Sequence, residues 1–382
     1  MSIRLDKAVQ NKVIADFGVE LSRSYILKLL KMGAVVYNNE VIKRKGFKFP
    51  NAEEAEKIQL NKDMVQAVIK EYQTGVISQE YAHMWHKSSP IGHFNIRKEL
   101  IDKIKIDKSD ILYEDQDIVA MYKPAGIVSH PSSKDSEQDS MIYRFLKYMK
   151  QVYDFMPRAG LVHRLDRETQ GILLFAKNMQ AYNKLKEQFA NNQVIKLYLG
   201  VYLIPKHAFA RARQILVKLN DRNKYILELQ AKDFFDNVLK LPEVQIKGFI
   251  SMFKFKYKSA FVYHKKELKK RIFKQIKDAY SIEYPLFRIN ENIGISAIRI
   301  ITGRTHQIRA QHEYLGLPLL NDWLYTAGAF KSQMQQIISD MNFSQNTIGL
   351  VAFGISFYKV SEPTKRVYIT IPKEKLSLSF NF

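Results

Sequence analysis

The polar loop Arg164-Leu165-Asp166-Arg167-Glu168-Thr169-Gln170-Gly171 lies between two apolar runs, Leu161-Val162 and Ile172-Leu173-Leu174-Phe175. Short apolar runs bounded by polar turns predict strands, so Asp166 is expected at the mouth of a sheet, where packing has no use for a carboxylate. A neighbouring cation typically lowers an Asp pKa by about 1–3 units, and Asp166 stands between Arg164 and Arg167. An aspartate kept ionised in this way is a poor general base at neutral pH. It suits the role of nucleophile or stabiliser of positive charge. A surface ion-pair loop would use the same residue types, and the loop alone does not choose between the two.

A second candidate segment spans residues 301–322, ITGRTHQIRAQHEYLGLPLLND. Residues 296–302 alternate as a strand, Gly303 makes a turn, and residues 307–315 read as a short helix with Ile308 and Leu315 available for burial, stopped by Gly316. Arg304 and Arg309 therefore flank a strand-to-helix junction, where backbone N–H groups favour an anion. His163, His306 and His312 are read as hydrogen-bonding struts and not as metal ligands; no metal site is expected.

These segments resemble the RluA-type pseudouridine synthases. HRLDRETQGILLFAK, residues 163–177, resembles the signature of that family, whose aspartate is catalytic. Lys123-Pro124-Ala125-Gly126 with His130-Pro131, then Lys196-Leu197-Tyr198, then residues 301–322 follow in the family's order, and the resemblance spans roughly residues 110 to 360. It implies Asp166 as the catalytic carboxylate, Arg309 as its ion-pair partner, and Tyr198 stacked on the base and assisting at C5. Arg164 is the candidate wedge that extrudes the nucleotide. His163, Arg304, His306 and Gln307 complete the expected RNA-contacting set. The reaction would cleave the C1′–N1 bond of uridine, turn the base, and join C1′ to C5. A carboxylate able to attack or stabilise the sugar is the minimum requirement, as in retaining glycoside hydrolysis. Adduct formation and sugar deprotonation both remain open. No cofactor is expected, because the isomerisation has no net redox change and no group donor.

The elements that must position these residues predict an α+β fold. It comprises a mixed, mainly antiparallel sheet domain over residues 109–382, preceded by a small α/β module over residues 1–60 and a helical connector over 61–108. In the first part Ile3, Leu5 and Ala8 begin a helical stripe. Ser22 caps a second helix through Ile26, Leu29 and Leu30, and Gly33 ends it. Val35-Val36-Tyr37 and Val41 flank an Asn38-Asn39 turn, and the basic run Lys43-Arg44-Lys45 follows. This order resembles the ribosomal protein S-four-like RNA-binding module, which implies that Arg4, Lys7, Arg23, Lys28 and Lys31 face phosphates. The acidic segment NAEEAEKIQL at residues 51–60 departs from that module, which usually ends there in a glycine turn and a strand.

The chain has 382 residues and a formal charge of +22, which points to a polyanionic partner. A lysine bias contributes, since 43 of the 60 basic residues are Lys. Residues 205–290 alone carry a net +12 and are expected to form a basic insertion that grips RNA. In it, residues 264–277 place Leu268, Ile272 and Ile276 on one helical face. A solvated lysine-rich excursion is the competing reading. The absence of Cys excludes a disulfide framework, a thiolate zinc site and a cysteine nucleophile. With no signal-peptide core near residue 1 and no apolar stretch of membrane-spanning length, a soluble cytoplasmic protein is expected.

The partner is expected to be structured RNA, large-subunit ribosomal RNA first and transfer RNA as the alternative; the sequence leaves the oligomeric state open. A non-catalytic RNA-binding assembly protein would have no need of Asp166. A hydrolase using Asp166 with Glu168 would need opposed carboxylates, which two positions of one loop do not offer.

Overall fold

Apolar side chains alternate along the central strands of the larger part of the chain, and these strands feed two cores. The computed structural model describes residues 2–42, 46–74, 98–131, 139–149, 156–206, 210–254, 257–268, 273, 275–341 and 347–376. Within them the strands of the main sheet are β6 (Ile111–Glu114), β7 (Ile118–Lys123), β8 (Gln170–Ala176), β9 (Ile195–Leu203), β10 (Val244–Met252), β11 (Ser259–Val262), β12 (Lys277–Asn290), β13 (Ile293–Ile300), β14 (Leu350–Tyr358) and β15 (Arg366–Thr370). Their order is β11-β10-β12-β13-β9-β14-β8-β7-β6, with β15 alongside β14. All neighbours are antiparallel except β8 and β14, whose parallel contact is confined to Gln170–Val351 and Gly171–Ala352. The sheet is mixed and mainly antiparallel, as expected.

On β9, Leu197, Leu199, Val201 and Leu203 face one core while Tyr198 and Tyr202 face the other; on β8, Ile172 and Leu174 oppose Leu173 and Phe175. The first core is covered by α7 (Met179–Ala190), through Ala181 and Leu185, by α9 (Ala231–Val238), through Phe234 and Phe235, and by Met334 of α11 (Lys331–Asp340). The opposite face is covered by α6 (Met141–Met149) and α10 (Gln307–Leu315). Tyr198 therefore belongs to the face that carries α10.

The first part of the chain folds as α1 (Leu5–Phe17) and α2 (Arg23–Met32) with β1 (Ile3–Arg4), β2 (Val35–Tyr37), β3 (Glu40–Val41), β4 (Lys48–Phe49) and β5 (Gln59–Leu60). Gly18 and Gly33 end the two helices in the left-handed conformation, at φ 68° and 81°. Asn38 and Asn39, both with positive φ, turn β2 into β3. Ile3 is not part of the helical stripe; it pairs with Phe49, a strand contact that short-range periodicity does not reveal. The acidic segment forms the short helix α3 (Ala52–Glu56), and β5 then pairs with β2. The helix α4 (Lys62–Thr74) buries Val65 and Val68 in the same core, and its Glu71 meets Lys28 of α2. Residues 62–74 thus pack with the first sixty. Next comes α5 (Lys98–Lys103). The run Lys43-Arg44-Lys45 lies outside the described residues.

The basic segment 205–290 is built into the fold. After α8 (Arg213–Leu216) it supplies α9 and the strands β10, β11 and β12, which extend the sheet through the pairing of β12 with β13. The expected helix at 264–277 is not what the described residues form. Lys265–Glu267 is a single 3-10 turn, Phe273 bridges to Phe253, and Lys277 already begins β12; residues 269–272 and 274 lie outside the described residues. Pairing with β10 overrides the local helical period here. No helix among the described residues is long and apolar enough to cross a membrane.

Candidate active site

The loop carrying Asp166 is held by contacts from β7 and the turn after it. The buried Lys123 ammonium donates to the carbonyls of Pro124 (3.0 Å), Arg167 (3.0 Å) and Thr169 (2.7 Å), so one cation gathers the carbonyls on both sides of Glu168. Ser129 Oγ donates to the Leu165 carbonyl at 2.8 Å and accepts from the Leu165 N–H at 2.9 Å. Gly126, at φ 86°, donates its N–H to the Arg167 carbonyl at 2.8 Å. His163 Nε2 accepts the Leu174 N–H at 3.1 Å. Desolvation, with smaller contributions from Lys196 and Lys186, pushes that imidazole down to about 3, so it is a neutral strut at physiological pH.

Arg309 is the electrostatic centre. It is 3% exposed and forms a bidentate pair with the fully buried Asp322, Nε–Oδ2 2.7 Å and Nη2–Oδ1 2.8 Å. Its remaining Nη1 donates to Glu168 at 3.0 Å and stands 4.0 Å from Asp166. The guanidinium also lies 5.0 Å from the centre of the Tyr325 ring. Arg309 thus stands at the outer limit of an ion pair with Asp166, while its hydrogen-bonded partners are Asp322 and Glu168. The reason is geometric, since the planar fork of Arg matches one carboxylate bidentately, and Asp322 fills that position.

His306 caps α10 in a left-handed conformation, φ 56°, which a non-glycine residue adopts only when its surroundings enforce it. Its Nδ1 lies 2.9 Å from the Tyr325 hydroxyl, which itself accepts the Ser259 N–H at 2.8 Å. The His306 Nε2 is 4.0 Å from Asp166. Burial, helped by the Arg309 charge and opposed by that of Asp166, lowers the pKa of the His306 imidazole.

A cavity of about 540 Å³ opens beside Asp166, within the usual size of a small-molecule site. Tyr198 and Lys196 of β9 form one wall, and Arg304 and His306 another. Tyr198 is 7% exposed, and burial together with the Asp166 charge raises its phenol well above the ordinary value; it stays protonated. Burial pushes the Lys196 ammonium, 5.4 Å from the centre of the Phe189 ring, down to about 8.

The cavity thus gathers Asp166, Tyr198, Arg309, Arg164, Arg304, His163, His306 and Gln307. Two of them are committed to the scaffold. The Gln307 amide accepts from the Thr302 hydroxyl (2.7 Å) and the Arg304 N–H (3.2 Å) and donates to the Tyr280 carbonyl (3.1 Å). Its oxygen accepts twice and one of its two amide hydrogens is engaged, so the side chain is held by β12 and the turn before α10. His163 spends its acceptor on β8. Arg164 is exposed at the mouth, and Arg304 donates its Nε to the Asp278 carbonyl at 2.9 Å. In the N-terminal part Arg23 is exposed and paired with Asp6 at 3.0 Å. Lys28, expected to face phosphates, is corrected: it is buried against Glu71 at 2.7 Å and cannot reach RNA. Sequence reasoning missed Asp322 and Tyr325. Their signal was an acid and an aromatic just past the helix that carries Arg309.

Residues 117–314 match the family described as RNA pseudouridylate synthase. An uncharacterized RNA pseudouridine synthase of Aquifex aeolicus is 26% identical over 96% of this chain and 89% of its own length. The ribosomal large subunit pseudouridine synthase D of Buchnera aphidicola is 25% identical over 85% of this chain and 78% of its own. An uncharacterized RNA pseudouridine synthase of Mycoplasma pneumoniae is 26% identical over 61% of this chain and 62% of its own.

Proposed function

Because the chain belongs to the RNA pseudouridylate synthase family, we propose that it converts uridines of large-subunit ribosomal RNA to pseudouridine, with Asp166 as the catalytic carboxylate. The observation that carries this reading is the placement of Asp166 at the junction of a nucleotide-sized cavity with an arginine-rich mouth. Its carboxylate is 4.0 Å from both the Arg309 guanidinium and the His306 Nε2, with the protonated Tyr198 phenol in the same wall. Arg309 remains a cation through its pair with Asp322 and stands near Asp166 without sequestering it. The ribosomal target is favoured by the name of the Buchnera relative, which aligns along most of its length.

A uridine in a helix must leave the stack, which costs a few kcal/mol. Arg164, exposed at the mouth, fills the opening, while Arg304 and the basic surface hold flanking phosphates. In the cavity the ribose presents C1′ to Asp166 and the base lies against Tyr198. The C1′–N1 bond breaks as the carboxylate takes up or shields the positive charge at C1′. The base turns about an axis through its ring, C5 bonds to C1′, the C5 proton leaves, and N1 gains one. Atoms and electrons balance without an external donor.

Pseudouridine mapping of ribosomal and transfer RNA tests this, with cells carrying the wild-type protein, none, or Asp166→Ala. Sites in large-subunit ribosomal RNA present only with the wild-type protein are the expected result. Identical maps from all three would overturn the catalytic reading, and sites confined to transfer RNA would overturn the substrate.

A further inference from the structure

A second cavity, about 610 Å³, adjoins the first and shares Arg164, Leu165, Asp166, Thr305 and His306 with it. Asp166 therefore stands between two chambers, of which the chemistry described above uses one. The walls unique to the second are of two kinds. Arg167 and His130 line one side, while Met252, Tyr257 and Leu324 line the other. Tyr257 is 83% exposed and Leu324 44% exposed.

Tyr257 lies in the turn joining β10 to β11, the part of the basic segment that the reaction leaves unassigned. That turn is anchored to the active site by the two residues that follow Tyr257. Lys258 pairs with Glu313 of α10 at 2.5 Å, and its ammonium lies 4.8 Å from the centre of the Tyr325 ring. Ser259 donates its N–H to the Tyr325 hydroxyl at 2.8 Å and its Oγ–H to the Thr305 carbonyl at 3.0 Å. The Phe253 N–H donates to the Lys258 carbonyl at 2.9 Å and closes the hairpin. The same Tyr325 hydroxyl faces His306. The position of Tyr257 is thus set by the network that sets the position of His306.

An aromatic face in water, with a thioether and an aliphatic side chain in the same lining, is a stacking surface for an unpaired base, and arginine in that lining suits the phosphate that follows. Asp166 and Glu168, in the same lining, repel that phosphate from the floor and direct it to the Arg164 and Arg167 side. We propose that the second cavity binds the unpaired nucleotide next to the target uridine in the same RNA strand, its base stacked on Tyr257, and that this stack contributes to the choice of site. The proposal rests on the reading of the chain as an RNA-modifying enzyme. It commits the hairpin to one strand neighbour and not to a general phosphate surface.

A double perturbation tests it, on a stem-loop RNA transcribed around a uridine that the wild-type enzyme modifies. Tyr257→Ala is expected to lower kcat/KM about tenfold, the order of one lost base stack, mainly through KM, and Tyr257→Phe to restore it. Being exposed, the side chain can be removed without opening the core, and an unchanged melting curve checks this. RNA with an abasic residue immediately 5′ or immediately 3′ of the target is the second perturbation. At one of the two positions the wild type should lose about the same factor, while Tyr257→Ala loses nothing further. Losses that multiply independently at both positions, or a Tyr257→Phe variant as slow as Tyr257→Ala, would overturn the stack while leaving the enzyme reading intact. If the wild type modifies no uridine in any ribosomal or transfer RNA, the enzyme reading itself has failed and the stack falls with it.

Discussion

Replacing Asp322 by Asn separates the two carboxylates that hold Arg309 and measures what each is worth. Asn keeps the shape of Asp but removes the charge opposite a guanidinium that is 3% exposed. Removing one partner of a buried pair costs about 3–5 kcal/mol, because the other charge is left desolvated. Glu168 remains at 3.0 Å and Asp166 at 4.0 Å, so the guanidinium is not stranded, and a loss near the lower end, about 3 kcal/mol, is expected. Glu168 is 41% exposed, and ion pairs in that setting contribute about 0–1 kcal/mol. Glu168→Gln should therefore cost under about 1 kcal/mol. Urea unfolding followed by tryptophan fluorescence reads both, with the slope checked for constancy so that the midpoint reports stability. The same two variants assayed for pseudouridine formation should rank in the same order, since Arg309 freed from Asp322 turns towards the loop and changes the surroundings of Asp166. A cost below about 1 kcal/mol for Asp322→Asn, or equal costs for the two variants, would refute the idea that burial sets the value of each contact.

Three further outcomes are expected. His163 has its folded pKa pushed from 6.5 down to about 3, so its contribution to stability is full above about pH 6.5 and is lost as the pH falls towards 3, with a slope of at most about 1.4 kcal/mol per pH unit. His163→Gln keeps an acceptor for the Leu174 N–H without titrating, and should flatten the acid limb of a stability–pH curve; an unchanged limb assigns the acid loss elsewhere. For the buried Lys28–Glu71 pair, Lys28→Met and Glu71→Met should each cost about 3–5 kcal/mol, and the double variant less than either; additive costs in urea melts would show that the two are not coupled. Gly171, at φ 140°, would place an added Cβ 2.5 Å from Ala352, so Gly171→Ala should yield little soluble protein, whereas Gly303→Ala, with open space around it, should melt within about 0.5 kcal/mol of wild type.

What could be read in advance was local. The helix 307–315, its stop at Gly316 and the Asn38-Asn39 turn depend on residues within a turn or two of one another, and all three are present. Contacts across long stretches of chain were not legible. Arg23 and Lys31, the other charged residues of the helix that carries Lys28, are exposed, and only Glu71, forty-three positions from Lys28, explains why Lys28 is buried. Asp322 was part of a segment already singled out, yet nothing in its spacing says that it takes the bidentate side of Arg309 and leaves Asp166 the distant one. The 264–277 stretch has a true helical period, and the sheet uses its last residue for β12 all the same. In the candidate site, the residue types that do chemistry were visible, while the struts that hold them, Lys123 under the Asp166 loop and Tyr325 behind His306, emerge only from the folded geometry.

The position of β14 has a consequence for how the protein comes into being. Strands β6 to β8 form one sub-sheet and β9 to β13 another, and among the described strands β14 alone joins them, bonding to β9 along one edge and to β8 along the other. Asp166 enters through the loop before β8, while Tyr198 lies on β9 and Arg309 on the helix after β13, so the residues of the candidate site are divided between the two halves. During synthesis both halves leave the ribosome before the strand that unites them, each with an open edge able to pair with another chain. Pairings this distant in sequence also form slowly. The enzyme is therefore silent until late in its own translation, and the interval before β14 docks is when a nascent chain is most exposed to mispairing and most in need of a chaperone.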